Sequence, residues 1–451
     1  MGCAHPCARQ GYSTPLTCTD GPAYRIRLGL AVSSAVRSDA IVGRQDKLNH
    51  TAVRPERFFA ALQAAGMPEV PGEFSVVPRH QVIPSATLAE IAEFVRVFDQ
   101  VTTRDGWRAT VRREAPAIAQ LRRPEVCFFS AWDFHLPPEG GCQLIEFNDN
   151  GSGFLFAAIV NDLYYQVASL GQEKSIAPPA LFSAFNRRIG DLVEQEARSF
   201  FEECPDGLFL VLDDAESLHR GKFRTELRLL CDLFRRKGWR AELGCPAETR
   251  WNGRQLLFNG QPVCFIVNRS TDFFWQSEGS SALRRAYEAG QVYVAPNPFT
   301  YATRSDKRLL EWLSQVHWDE DLGIRPGERQ FLSAHVPETH VVRAENLEML
   351  AQRRHDLVFK PLHGFAGRGL LDSAAVGRAR LRRLMKHGEG YVAQKWVPKP
   401  CIDVEGRPLW TDLRVWAYRG QILLLSGRAS RRLDRLELTP PGGWIPTYAS
   451  P

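Results

Sequence analysis

Two groups of residues in this sequence have the types and spacing to do chemistry. The first is acidic. Asp133 stands near the end of the apolar, aromatic run Val126–Phe134, and Glu146 and Asn148 stand two apart in the run Cys142–Asn148. Between the runs, His135-Leu-Pro-Pro-Glu-Gly-Gly141 has turn chemistry, so the pair reads as a β-hairpin. Side chains two apart on a strand share a face. Asp133, beside the turn on the partner strand, can reach the same end. Hard oxygen donors with one or two carboxylates are what Mg²⁺ takes when nucleotide phosphates supply its other ligands. The competing reading makes Asp133 and Glu146 solvent-facing residues of an exposed sheet. Leu144, Ile145 and Phe147 argue against it, because they cannot all face water.

The second group is basic. Leu357-Val358-Phe359 is a short buried strand, Lys360 ends it, and a loop with Gly364, Gly367 and Gly369 follows at once. Glycines let backbone approach a ligand and leave N–H groups free for oxyanions, and a lysine at the base can hold phosphate as a point charge. No Gly-Lys-Ser/Thr follows. Leu370-Leu371-Asp372 reads as a return strand, so the device is a glycine-tipped hairpin, not a Walker loop. Further on, Lys395 lies within the strand Tyr391–Val397 among apolar neighbours, and Arg414 lies on the hairpin Trp410–Tyr418 with Gln421–Leu425. Two lysines beside a phosphate-cradling hairpin make an ATP grip.

The elements that must position these groups are legible in part. Leu88, Ile91, Val95 and Phe98 recur at helical spacing in a helix from Ser85 to Val101, with Ser85 as N-cap. Helices are expected over Phe154–Leu170 and Pro179–Phe201, and Pro205-Asp206-Gly207 ends the second. Leu208–Leu212, a helix over Arg224–Lys237, and the strands Gly238–Leu243 and Val263–Val267 form a parallel α/β unit. Ligands of such sheets sit past the carboxyl ends of strands, which makes Asp213, Asp214 and Arg269 candidate substrate contacts as well as candidate caps. Ser305 is expected to open a helix through Trp312. The divisions expected are a loose leader over 1–22, a part carrying the acidic hairpin over 23–206, the α/β domain over 207–300, and the glycine hairpin with the last strands over 301–451.

The chain has 451 residues, a net charge of +6 and 24% charged residues. That charge suits a small anionic ligand, and no nucleic-acid partner is expected. The arginines at 353, 354, 378, 380, 382, 383, 428, 431 and 432 read as solvated helix faces. No segment has the length and apolarity of a membrane span, and no secretory signal is visible in 1–20. Ten cysteines, spread singly as at Cys127, Cys231 and Cys264, fit reduced thiols in a cytoplasmic protein. Cys3, His5, Cys7 and Cys18 are read as part of an irregular N-terminal tail, not as a metal site.

In order along the chain, the acidic hairpin, the α/β unit, Lys360 with its glycine loop, the strand Gln394-Lys395-Trp396-Val397, and Asp412-Leu413-Arg414 resemble the ATP-grasp superfamily. The ordinary order puts the Glu-x-Asn motif near the C-terminus. Here Glu146-Phe147-Asn148 comes first, which resembles the circularly permuted group that includes the glutathionylspermidine synthases. The resemblance implies an α+β, α/β architecture: an ATP-grasp fold in permuted order with an inserted pre-ATP-grasp domain. It implies ATP and Mg²⁺ as cofactors. Asp133, Glu146 and Asn148 would hold the metal. Lys360 would contact phosphates, with Gly364, Gly367 and Gly369 in a closing lid. Lys395 would lie by the adenine and α-phosphate, and Gln394, Lys395, Trp396 and Val397 would offer backbone groups to the adenine. Arg414 would join Lys360 in catalysis. The family often has an arginine two residues before the first metal Asp, where this chain has Ala131, and the amidase domain of some relatives is missing. The activity implied is ligation of a small-molecule carboxylate to an amine through an acylphosphate. The alternative is a non-catalytic or kinase-like nucleotide-binding protein on the same fold. Oligomeric state is not legible.

Overall fold

The computed structural model describes residues 55–64, 75–123, 125, 129–202, 205–221, 223–315, 322–363, 369–371, 373, 376–386, 390–434 and 436–451. The expected leader, Cys127, Gly364 and Gly367 lie outside the described residues.

In chain order the elements that frame the site are helix α1 (Ser85–Thr102), strands β1 (Ser130–His135) and β2 (Gln143–Asn148), helices α2 (Phe154–Val167) and α3 (Phe182–Phe201), strand β3 (Leu208–Leu212), helix α4 (Arg224–Arg236) and strands β4 (Arg240–Gly244), β5 (Gln261–Asn268) and β6 (Tyr293–Ala295). Helix α5 (Pro326–His335), strands β7 (Thr339–Val341) and β8 (Leu357–Pro361), helix α6 (Arg378–Lys386), and strands β9 (Tyr391–Lys395), β10 (Arg407–Tyr418), β11 (Gln421–Ser430) and β12 (Gly443–Ile445) complete the set. All of them belong to one unit over 50–451.

The central sheet runs β12-β11-β10-β1-β2, antiparallel throughout, with Cys401–Val404 paired to β10. The acidic hairpin therefore lies beside the last long hairpin of the chain. Alternation sorts its two faces. Trp132, Phe134, Leu144, Phe147, Leu413 and Val415 are buried against Ile91, Phe94 and Phe98 of α1. Asp133, Glu146 and Arg414 share the opposite face. Farther along that face Ala131, Trp416 and Trp444 pack on α2, which is apolar nearly all round and buried as such a helix must be.

A second sheet is parallel at β4-β3-β5-β6 and carries a short antiparallel extension through Leu256–Phe258 and Arg250–Trp251. Its central strand β3 and most of β5 are buried on both faces, as helix-covered parallel strands require. The third sheet is small and antiparallel, β7-β9-β8. The segment Gln81–Ile83, which the sequence left unassigned, pairs in parallel with Thr447–Ala449.

Two local expectations need correction. Ser85 is the first helical residue, with Pro84 at the cap, so proline geometry and not a side-chain cap opens α1. Ser305 lies in a π-helical turn, Tyr301–Ser305, and the helix beyond it starts at Leu309. Of the expected return strand after the glycine loop, the described residues show a single bridge between Phe359 and Leu371. Among the described residues no helix is long and apolar enough to cross a membrane.

Candidate active site

Register across the central sheet builds the site. Asp133 stands opposite Glu146 on one side and Arg414 on the other, so all three project from one face. Asn148 is two residues from Glu146 and projects from it as well. Asp412 and Arg428 face each other one pleat further on.

Asp133 is bound by two arginines. The Arg414 Nε donates to its Oδ1 and the Arg414 Nη2 to its Oδ2, both at 2.6 Å, and Arg428 Nη2 stands 3.0 Å from Oδ2. Burial alone would raise this carboxyl, but Arg414 and Arg428 hold it well below the usual carboxylate range. Arg428 is anchored in turn by Asp412, with Nε and Nη2 each 2.8 Å from a carboxylate oxygen. Three contacts from two guanidinium groups leave one of the carboxylate's roughly four acceptor sites, and Asp133 positions Arg414 and Arg428. Glu146, 3.4 Å from the Lys307 ammonium, and Asn148 add oxygen donors on the same face. They fit a metal that takes few protein ligands and completes its shell with phosphate and water.

The small sheet brings Lys360 to the same place. Its ammonium donates to the carbonyl oxygen of Ile145 at 3.0 Å and to Gln394 Oε1 at 2.6 Å. Burial lowers its pKa to about 8; Glu146 pulls it up, and Lys307 pushes it further down. Lys307 is buried, with its ammonium 3.4 Å from Glu146 Oε1. Lys399 is lowered chiefly by burial, with Asp412 pulling it up and Arg428 pushing it further down. Lys307, Lys360, Lys399, Arg414 and Arg428 thus surround Asp133, Glu146 and Asp412. Five cations against three anions leave this end of the sheet with a surplus of positive charge, the electrostatics of a polyanion site.

Lys395 is not among them. On β9 it pairs with Leu357, whereas Lys360 pairs with Val392, three residues earlier. An odd spacing on a strand puts two side chains on opposite faces. Lys360 faces the hairpin. Lys395 lies on the other face, at the exposed end of the core formed by Leu357, Phe359, Leu381 and Tyr391. It is not embedded among apolar neighbours, and the pairing of Lys360 with Lys395 is corrected. The hinge strand is also narrower than expected. The N–H groups of Lys395 and Trp396 donate to Glu338 and Asp356 carbonyls at 2.8 Å, and the Gln394 side chain holds Lys360. The Val397 carbonyl oxygen lies 3.1 Å from His135 Nδ1, which ties the end of this segment to β1. Gly369 has φ +77°, a left-handed conformation that glycine adopts without strain.

The turn after β2 links the site to the parallel sheet. Glu226 accepts from the N–H of Gly153 at 2.7 Å and of Leu155 at 2.9 Å, which supplies the carboxylate that the start of α2 favours. Arg269, at the carboxyl end of β5, stands 3.6 Å from Glu226 and donates to Ser152 Oγ, while its buried Nη1 has no partner among the described residues. Arg414 Nη1 reaches the Ser152 carbonyl at 3.4 Å. Ser152 therefore joins the guanidinium groups of the two sheets. Asp214 accepts from Ser270 Oγ at 2.6 Å and from the Thr271 N–H at 3.1 Å, and so holds the turn that follows Arg269. Asp213, raised to about 6 by burial against the pull of Arg269, accepts from the Asp214 N–H.

Sequence reasoning missed Lys307 and Lys399 and placed Arg428 on a solvated helix. Arg428 is buried within β11. Its position between Gly427 and Ala429 in a strand was the available signal. Lys307 follows Ser305 and Asp306, which were read as the start of a helix.

No model of a known protein family matches the sequence, and no curated protein does. The architecture is a mixed α/β fold with several sheets of the kind seen in glutathione synthetase-like structures. The structure of a glutathione synthetase-like effector, GSS30, from Globodera pallida aligns over 88% of this chain and 96% of its own, with a TM-score of 0.55 and 11% identity. A Methylobacillus flagellatus protein, provisionally described as a gamma-glutamylcysteine synthetase, aligns over 79% and 86% at 13% identity. Its TM-score is 0.42, too low to carry an argument. At these identities the likeness is one of fold.

Proposed function

We propose that this protein is an ATP- and Mg²⁺-dependent ligase that joins a small-molecule carboxylate to an amine. The observation that carries the proposal is the Lys360 ammonium, 3.0 Å from the Ile145 carbonyl and hence one residue from Glu146, in a region with a surplus of positive charge. Glu146 and Asn148 would hold Mg²⁺, which neutralises phosphate charge when bound. Lys360, Lys307 and Arg414 would orient the triphosphate and stabilise charge that develops as the phosphoryl group moves. Arg269 would dock the substrate carboxylate, because its buried Nη1 is left with a proton to donate. The carboxylate takes the γ-phosphoryl group as an acylphosphate, and the amine then displaces phosphate. Such chemistry is mostly positioning and needs no nucleophilic side chain. The fold likeness to a glutathione synthetase-like protein supports the reaction class without fixing the substrates.

The test is ADP release from ATP with pooled acids and amines. Turnover is expected only when both pools are present, and is expected to vanish in Glu146→Gln and Lys360→Met. Nucleotide binding without turnover in any pool would leave the non-catalytic reading in its place, and turnover without an amine would leave a kinase-like one.

A further inference from the structure

We propose that Glu90, Cys142 and His335 form a binding site for a zinc-class transition metal, separate from the nucleotide cleft. Their ligand atoms all lie within 4.8 Å of one another. They come from three elements: Glu90 from α1, Cys142 from the residue before β2, and His335 from the last turn of α5. Gln143 Nε2 donates to the Ala334 carbonyl at 2.8 Å and keeps the start of β2 against the end of α5.

The hydrogen bonds of His335 make the argument. Its Nδ1 lies 2.7 Å from the Phe331 carbonyl oxygen, which can only accept, so Nδ1 carries a proton. In the neutral ring Nε2 then has a bare lone pair, and it stands 2.8 Å from Glu90 Oε1, another acceptor. Two acceptors at that distance need a cation between them. A second ring proton would serve the histidine and the carboxylate. It leaves unused the thiol that lies within 4.8 Å of both, whereas a metal would take it. A backbone carbonyl on Nδ1 is also the arrangement that fixes the tautomer of a metal-binding histidine.

One sulfur, one imidazole nitrogen and one carboxylate oxygen form a mixed set that suits Zn²⁺ and not Mg²⁺ or Ca²⁺. With bonds of about 2.3 Å to sulfur and about 2.0 Å to nitrogen and oxygen, closure needs side-chain shifts of about an ångström. Cys142 and His335 are buried beside Phe94 and Phe331, while the Glu90 side chain is 35% exposed and leaves an opening for metal and for a water as fourth ligand. The bound metal would staple α1 and α5 to the base of the hairpin that bears Glu146.

The test is Co²⁺ titration of the reduced, chelator-treated protein. One equivalent is expected to give a thiolate-to-metal charge-transfer absorption that Zn²⁺ displaces. Cys142→Ser is expected to abolish it, and Glu90→Gln, at a half-exposed position, to weaken affinity at least ~10-fold. Zn²⁺ is expected to raise the Tm of the wild type and not of Cys142→Ser. A metal at Glu146 and Asn148 would give no thiolate band. Absence of the band, or a band of equal affinity in both variants, overturns the proposal and leaves a His335–Glu90 ion pair beside a buried thiol.

Discussion

Lys360 donates from its ammonium to the carbonyl oxygen of Ile145 across 215 residues of chain, while Lys395, on the adjacent strand, projects from the opposite face of the same small sheet. The two lysines therefore have different expected effects. Lys360→Ala should lower ADP release by at least ~10²-fold, the scale of losing one preorganised charge donor. Lys395→Ala should change it by no more than about threefold, as exposed charges do. Equal losses in the two variants would refute the assignment of faces.

The pH dependence of Lys360 follows from its lowered pKa of about 8, caused by burial and by Lys307 against the pull of Glu146. In the unfolded chain a lysine keeps its proton to about 10.4. Between about pH 8 and about pH 10.4 the unfolded state binds more protons, so this group makes the protein more stable as pH rises. The folded ammonium is lost over the same interval, and nucleotide affinity is expected to weaken. Calorimetric titration of ATP and urea unfolding across that range measure both. Lys360→Met should remove both trends, and an affinity flat with pH would speak against the ammonium as a phosphate contact.

Asp133 is expected to matter for stability more than for metal affinity. Asp133→Asn leaves Arg414 and Arg428 without a shared counter-charge in a buried place, at a cost of about 3–5 kcal/mol in urea unfolding. Its carboxyl is depressed when folded, so its contribution is full above the unfolded value of about 3.9 and is lost as pH falls below it. Mg²⁺ dependence should follow Glu146→Gln instead. A folded Asp133→Asn variant of unchanged stability that has lost only its Mg²⁺ response would show Asp133 acting chiefly as a ligand.

Gly153 tests the turn that presents Ser152. It has φ +92°, and a Cβ there would meet the Trp444 ring at 2.7 Å. Gly153→Ala combines left-handed strain with overpacking, and is expected to cost about 1–3 kcal/mol and to lower activity by shifting Ser152 away from Arg269 and Arg414. A thermal melt and an activity assay on one preparation suffice. A variant with wild-type Tm would mean that the turn tolerates the clash.

Local pattern carried much of the fold. The two-residue spacing of Glu146 and Asn148, the helical spacing of Leu88, Ile91, Val95 and Phe98, and the turn at Gly140-Gly141 each depend on residues close in the chain, and the structure contains the hairpin and helix they imply. Arg419-Gly420 joins β10 to β11 in the same way. What sequence could not decide is which distant strands become neighbours and in what register. Arg414 meets Asp133 across 281 residues, and that contact makes an expected metal ligand an anchor of two arginines as well. Lys360 and Lys395 looked equivalent because each sits in a strand with apolar neighbours, yet the register of β8 on β9 puts them on opposite faces. Arg428 entered the site through the register of β11 on β10, and Lys307 and Lys399 through loops that the fold brings to the same end of the sheet. Side-chain periodicity is a property of a single strand, whereas the meeting of charges depends on pairings that only the folded chain selects.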